Sequence, residues 1–420
     1  MFINIYHERN PMKIIRHSMF FAAIAAIPAA HAQTAMTIAQ LQASTVCSTP
    51  AYITDVGKEG MFVASSDTSH EANGGTTLWC NAGGQTKKLY KRIYDSTINA
   101  KWFGLTEGAT DNSAAVQNAI DAARNGQEVL IPEGRYQFQN SITLRDETYI
   151  HFTARGELTF GPRDGIIVEG RFGHVLNLTR LHGMPWEDHP RYGYVGSGIT
   201  LMNAQFATVK VNWIDGFQNA IKLSARGQNG SQYNKIDFDG LRNNDVGILL
   251  TTENDGIHNW VTENTFTGGK ITGLTGLLSA PGPGADSFNG NKFYNLGFEG
   301  LTTAVDATGF VRNIFFAPRL LAAEGVQNGF KFSANSINNV ILSTAIYEGA
   351  FVSKDTPGNA GAGTLVIGTM STPVGRTSGV LSVADTNGRF LGLMRDENSE
   401  TVKESKSRIL TLSLQPNVSK

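Results

Sequence analysis

Asn234-Lys-Ile-Asp-Phe-Asp-Gly-Leu241 is a unit whose pattern recurs through the middle of the chain. Numbered from Asn234, its third column holds Leu176, Val209, Ile236, Phe266, Phe293, Phe315 and Ile341 in successive copies. The eighth holds Leu181, Ile214, Leu241, Ile271, Phe298, Leu320 and Ile346, and neither column is ever polar. The first reads His174, Ala207, Asn234, Asn264, Asn291, Asn313 and Asn339, at spacings of 33, 27, 30, 27, 22 and 26 residues. A repeat of this size predicts a solenoid, and the local period decides its kind. Over 235–239, Ile236 and Phe238 alternate with Lys235, Asp237 and Asp239, the period of two of a strand with one buried face. A second alternating piece follows in Ala220-Ile-Lys-Leu223, Gly247-Ile-Leu-Leu250, Ala304-Val-Asp-Ala307 and Gly329-Phe-Lys-Phe332. No copy carries a helical pattern, which disfavours leucine-rich and helical repeats. Sandwich strands do not keep identical columns through so many copies. Two or three short strands per turn, with asparagines stacked at a bend and bonding their neighbours' backbones, describe an all-β parallel β-helix.

The 420 residues, 41% hydrophobic and 17% charged, suffice for a large core. A formal net charge of −1 argues against a dedicated nucleic-acid binder, which carries a basic stripe. Lys13, Arg16 and His17 precede an apolar run over 19–27, then Pro28 and Ala30-His31-Ala32. This reads as a secretory leader over 1–32, with Met12 as an alternative start and a secreted or periplasmic mature protein beginning at Gln33. The apolar run is too short to span a bilayer, and no later segment reads as transmembrane. In an oxidising compartment Cys47 and Cys80 are expected to form a disulfide. No further cysteine suggests zinc or redox chemistry, so neither metal nor cofactor is expected.

Residues 33–100 read as a small N-terminal β module, 101–355 as the solenoid and 356–420 as a C-terminal β tail that caps it, with a hairpin around the Asn387-Gly388 turn. Between module and solenoid, Trp102-Phe-Gly104 leads to Gly108-Ala-Thr-Asp111, a helix predicted over 112–124, and Val129-Leu-Ile131 followed by Pro132-Glu-Gly134-Arg-Tyr136. Asp111 is the expected N-cap, Val116, Ala119, Ile120 and Ala123 the buried stripe, and Gly126 the stop. This stretch is similar to the opening motif of the pectate-lyase-like right-handed parallel β-helix superfamily, in which a short N-terminal helix caps the first coil. The preceding segments Glu59-Gly-Met-Phe-Val63 and Leu89-Tyr-Lys-Arg-Ile-Tyr94 resemble the head module of phage tailspikes and exopolysaccharide depolymerases. Leu105-Thr-Glu-Gly108 departs from the usual Ala-x-Gly-Asp-Gly, which changes a turn in the cap. The resemblance implies a right-handed coil and a polysaccharide ligand. It leaves the chemistry open, because relatives include lyases, hydrolases, epimerases and non-catalytic adhesins. A homotrimer follows only by analogy with tailspikes.

Stacked coils lie about 4.8 Å apart, so one outward column of successive coils forms a continuous surface. The ninth column runs His182, Asp215, Arg242, Thr272, Glu299 and Leu321, the fourth Asn177, Lys210, Asp237, Thr267, Tyr294 and Phe316, and the sixth Thr179, Asn212, Asp239, Gly269, Leu296 and Pro318. Charge therefore concentrates in the upper, N-terminal coils. Asp237 and Asp239 share a strand face about 7 Å apart, near the separation of the acid and base of inverting glycosidases. His182 beside Asp215 is a candidate base. The competing expectation is two solvated ion pairs, Asp237 with Lys210 and Asp215 with Arg242. An insertion at 184–195 leaves the chain directly after Gly183 and carries Trp186, Arg191, Tyr192 and Tyr194, which with Lys210 and Arg242 are candidates for sugar contact. A lyase would instead use His182 or Lys210 as base and Arg242 or Arg191 to neutralise a uronate carboxylate. These residues predict an exported protein that binds and cleaves an acidic polysaccharide, with hydrolysis favoured over elimination. The alternative is a non-catalytic glycan-binding or adhesin module. Glu299 with Glu348 is the next pair of carboxylates to consider.

Overall fold

The computed structural model describes residues 34–67, 71–81, 87–145, 148–171, 173–183, 194–253, 256–282, 288–321, 328–333, 335–347, 363–371, 377–384 and 390–396. The segment read as a leader, residues 184–193 of the insertion and Glu348 lie outside them. The chain winds as a right-handed parallel β-helix, as predicted. Leu176, Val209, Ile236, Phe266, Phe293, Phe315 and Ile341 are stacked neighbours in parallel register. The column extends upward through Phe152, Val129 and Ile98. All of these residues are buried. Like therefore stacks on like along the axis: the Phe293 ring lies 5.0 Å from Phe266 and 4.7 Å from Phe315, nearly parallel to both. Full burial of each such side chain stabilises the fold by about 1.5–3 kcal/mol. A second strip stacks Ile142, Ile166, Ile199, Ile221, Ile248, Leu277, Val305 and Phe330. Short strands such as Gly230–Gln232 and Trp260–Thr262 form a third.

The asparagine column is a hydrogen-bonded ladder. Oδ1 of Asn234, Asn264, Asn291, Asn313 and Asn339 each accepts the backbone N–H of the ladder residue one coil above, at 2.8–3.1 Å. Each Nδ2 donates to a buried carbonyl, of Ala204, Ser231, Val261, Phe288 and Phe310 respectively. The five amides are wholly buried, and these bonds satisfy them. The residue before the rung is left-handed in all seven copies of the unit: Gly173, Phe206, Tyr233, Glu263, Gly290, Arg312 and Asn338 have φ between +54° and +67°. That conformation bends the chain sharply enough for the next side chain to enter the core. Asn264→Ala is expected to leave the Asn234 N–H and the Ser231 carbonyl without partners, each at a cost of about 1–3 kcal/mol. Urea unfolding measures it, and a loss below about 0.5 kcal/mol would show that the ladder does not bear on stability.

The capping helix spans Ser113–Asp121, shorter than predicted, and buries Val116, Ala119 and Ile120. Its N-cap position is Asn112 rather than Asp111. Asn112 turns its amide to Thr106, while Asp111 Oδ1 accepts from the Ser113 N–H at 2.9 Å and the Gln139 N–H at 3.1 Å. Burial works against the Asp111 charge, but hydrogen bonds from Ser113, Gln139 and Asn140 outweigh it and hold the carboxyl below its usual range. The helix thus gains its anion, from one residue further out.

The N-terminal module is a five-stranded sheet with its own core of Leu41, Ala51, Ile53, Phe62, Leu78 and Tyr90. Cys47 and Cys80 are joined by the expected disulfide, with 5.9 Å between Cα atoms. Closing a loop of this length contributes about 3–4 kcal/mol in the chain-entropy model. Arg92 ties module to solenoid. It donates to the carbonyls of Gly75, Glu59 and Lys58, and its guanidinium lies 4.5 Å from the Phe62 ring and 4.2 Å from that of Trp102. Burial pushes the Arg92 guanidinium down to about 10, against the neighbouring Glu59 and Tyr94.

Below Ile341 one further coil continues the register: Leu365–Ser371 pairs in parallel with Val340–Tyr347, and buried Thr364 takes the rung position. Thr377–Ala384 and Phe390–Asp396 then add as antiparallel strands, the hairpin read from the sequence. They occupy the strand edge that the last parallel strand leaves open. No described helix is long and apolar enough to cross a membrane.

Candidate active site

The long strands Val175–His182, Thr208–Asp215 and the first half of Lys235–Thr252 lie side by side, with His182 next to Asp215, Asp215 next to Arg242, and Lys210 next to Asp237. Their inward side chains are the apolar columns, so alternation forces Lys210, Asp237 and Asp239 out on one strip. All three are exposed.

Four side chains close a ring in which acidic and basic groups alternate. His182 Nδ1 contacts Asp215 Oδ1, and Arg180 Nη2 donates to Asp215 Oδ2 at 3.3 Å. Arg180 Nη1 is 3.6 Å from Glu157 Oε1, and His182 Nε2 is 3.9 Å from Glu157 Oε2. Arg135 Nε approaches Glu157 from the coil above at 3.4 Å. These side chains, Arg135 apart, are between 22% and 40% exposed, so the ring is held by protein on one side and open to solvent on the other. The imidazole is oriented through Nδ1, and each carboxylate keeps a basic partner.

The two expected ion pairs do not form. Asp215 is engaged by His182 and Arg180, and Arg242 instead lies over the Trp213 ring at 3.8 Å. A cation over an indole face is held by the ring quadrupole without using its N–H donors. Trp213 in turn lies flat across Gly240 of the next coil, where a Cβ would stand 2.0 Å from the ring. Among the described residues, Asp237 has no ion pair with Lys210. The lower coils differ in kind. Tyr294 and Phe316 occupy the Asp237 column, and the buried Glu299 is engaged by Lys270 and, at 2.7 Å, by Arg319. Glu299 is thus a carboxylate enclosed by its cations rather than an open acid. Tyr194, taken above as a stacking candidate, is 8% exposed and cannot offer a ring face. Trp186, Arg191 and Tyr192 lie outside the described residues.

Glu157, Arg180 and Trp213 were not singled out from the sequence. Glu157 was hidden by a bulge: between Ala154 and Glu157 the upper strand holds one residue more than its partner, which breaks column counting in the first coils. Trp213 carried a signal in Gly240, a glycine within a strand that marks the close approach of a neighbouring group.

No protein-family model matches the chain, and no curated protein matches it by sequence. Among solved structures it is similar to tailspike protein gp49 of Acinetobacter baumannii bacteriophage Fri1, a capsular polysaccharide depolymerase. The identity is 11%, over 80% of this chain and 69% of that one, with a TM-score of 0.52. The tailspike protein of Acinetobacter phage vB_ApiP_P1 matches at 11% identity over 89% of this chain and 76% of its own, with a TM-score of 0.37. The family 28 exopolygalacturonase of Yersinia enterocolitica matches at 12% identity over 62% and 75%, with a TM-score of 0.27. The chain spans between 49% and 76% of the length of the tailspikes it matches. At such identity the likeness to the Fri1 tailspike is one of fold.

Proposed function

We propose that this chain is an exported protein that binds an acidic polysaccharide along the outward strip of its upper coils and cleaves it, by hydrolysis in preference to elimination. One observation carries the proposal: acids and bases converge on that strip, whereas in the lower coils the Asp237 column holds Tyr294 and Phe316 and the Asp215 column holds Glu299 enclosed by its cations. Asp237 and Asp239 stand exposed on one strand face, beside Lys210 and below a histidine oriented by Asp215. In hydrolysis one carboxyl gives its proton to the glycosidic oxygen as the C–O bond breaks. The other takes a proton from the water that attacks the anomeric carbon. Lys210, Arg242 and Arg180 supply positive charge for the acidic groups of the chain. The Fri1 tailspike, which shares the fold, is a capsular polysaccharide depolymerase, and this supports a polysaccharide as the ligand class.

The test is incubation of the purified protein with a panel of acidic polysaccharides. New reducing ends without ultraviolet absorbance mean hydrolysis. Absorbance from a C=C bond conjugated to a carboxylate means elimination, with His182 as base. Binding without either product would replace the enzyme reading by that of a glycan-binding module.

A further inference from the structure

We propose a second glycan-binding site, at the corner where the short strands turn into the long ones, built on Phe206 and Tyr233 and taking uncharged pyranose units. It rests on the proposed function in one respect: the units it holds belong to the same polysaccharide that crosses the strip around Asp237. Phe206 is 58% and Tyr233 48% exposed, and their rings lie 5.4 Å apart and parallel within 10°.

Both residues stand at the left-handed position before a rung, with φ of 60° and 58°. Gly173, Gly290 and Asn338 hold the same position in other coils, as the conformation favours, and Glu263 and Arg312, whose long side chains carry charge into solvent, hold it in two more. An aromatic residue there is strained, and a ring left in water returns little burial energy to offset the strain. The fold therefore does not account for the two rings. The corresponding residue one coil above Phe206 is Gly173, which has no side chain to cover the ring.

Polar groups frame the rings. Gln205 and Gln232 precede Phe206 and Tyr233 in the same two coils. Gln232 Oε1 accepts from the Trp260 indole N–H at 2.8 Å, which fixes its amide, and the Gln205 amide is 3.5 Å from Asn229 Oδ1. Trp260 lies across Gly230, where a Cβ would stand 2.0 Å from Nε1. Flat rings beside fixed amides match a pyranose, which has apolar C–H faces and a rim of hydroxyls. Charge returns at once below, where Glu263 pairs with Lys292 at 3.6 Å. The aromatic patch thus spans two coils, about 5 Å of rise each. That is far short of the roughly 800 Å² per partner of a stable protein interface, but enough for a few sugar rings. Tyr233 precedes Asp237 by four residues, at most about 13 Å of chain, so one glycan lying along the strands reaches both sites.

Affinity electrophoresis tests this, in gels cast with xanthan or hyaluronan, which mix neutral and acidic units, and with all-acidic polygalacturonate. The variant is Phe206→Asn/Tyr233→Asn, because asparagine accepts the left-handed conformation and the fold is kept. The wild type is expected to be retarded in at least one mixed polymer, and the variant to lose about tenfold in affinity there from two lost stacking contacts. Its retardation by polygalacturonate should be unchanged, as should its sedimentation and circular dichroism. Equal retardation of variant and wild type in both mixed gels, or no retardation of the wild type in either, would overturn the site. So would a wild-type oligomer that the variant dissociates, since the ridge would then join copies of the chain. Asp237→Asn/Asp239→Asn separates the two proposals: it should abolish cleavage and leave the retardation intact. Ridge-dependent retardation with no cleavage of any polymer would sink the catalytic proposal alone.

Discussion

Phe293→Asp is expected to unfold the middle of the solenoid. Phe293 sits wholly inside, sandwiched between Phe266 and Phe315 and 5.8 Å from Phe310. Removing the ring alone costs about 3–5 kcal/mol, because a stack pinned by strands above and below cannot collapse to fill the gap. The carboxylate then adds the cost of an unpaired charge in an apolar column, several kcal/mol more. Together these approach the roughly 5–15 kcal/mol that holds a whole domain folded. Coils contact mainly their neighbours, so the damage starts locally, but it severs the upper coils from the C-terminal closing strands. Loss of the cooperative melt and of β-type circular dichroism is the expected result. Phe293→Leu, which keeps the column apolar, should cost only about 1.5 kcal/mol. A melting temperature for the Asp variant equal to that of the parent would show that the third column does not face the core.

The fold was legible because a parallel β-helix writes its register into the sequence. Each coil repeats one local problem: an inward side chain at columns three and eight, and a residue at column one that satisfies buried backbone groups. Ile236, Phe266 and Phe293 solve the first alike, and Asn234, Asn264 and Asn291 the second. Where a coil solves it differently the signal weakens. His174 fills its rung with an imidazole, whose Nδ1 takes the Ile150 N–H at 3.4 Å. Buried Thr364 takes the next rung position, but its hydroxyl finds no hydrogen-bond partner among the described residues, so the coil it opens lacks the amide signal that marks the others. The helix cap was misread by one residue because Asp111 and Asn112 are both good caps. Only the competing demand of the Thr106 backbone decides between them.

The site was less legible, since outward columns say which residues share a strip but not which of them touch. His182 and Asp215 met as their columns required. Arg242 had Asp215 beside it in register and still took the Trp213 face. A guanidinium on an exposed strip gains little from a solvated carboxylate, and an indole pinned flat over Gly240 is an equally near partner. Arg180 then became the cation for Asp215, from the same strand as His182, two residues earlier. Position seven is the bend, where alternation gives no guide to direction, so neither Arg180 nor Trp213 could be assigned a face.

Asp237→Asn and Asp239→Asn are each expected to lower turnover of the cleaved polysaccharide by about 10²-fold or more, the size of a lost general acid or base. Asparagine matches aspartate in shape, and both positions are exposed, so the melting temperature should hold. The loss should then appear in kcat rather than in folding. His182→Ala separates the chemistries. In hydrolysis by the two aspartates, the imidazole only borders the site, and its removal should cost less than either Asn variant. In elimination the imidazole takes the proton next to the uronate carboxylate, so its loss should cost most while the Asn variants remain active. Arg242→Gln should raise KM for acidic polymers, and Tyr294→Ala, in the Asp237 column one coil beyond Thr267, should leave kcat unaltered. If both Asn variants and His182→Ala cleave at the parental rate, catalysis does not lie on this strip. Glu299, enclosed by Lys270 and Arg319, would first have to be uncovered before it could act, so the search would move to the 184–195 insertion.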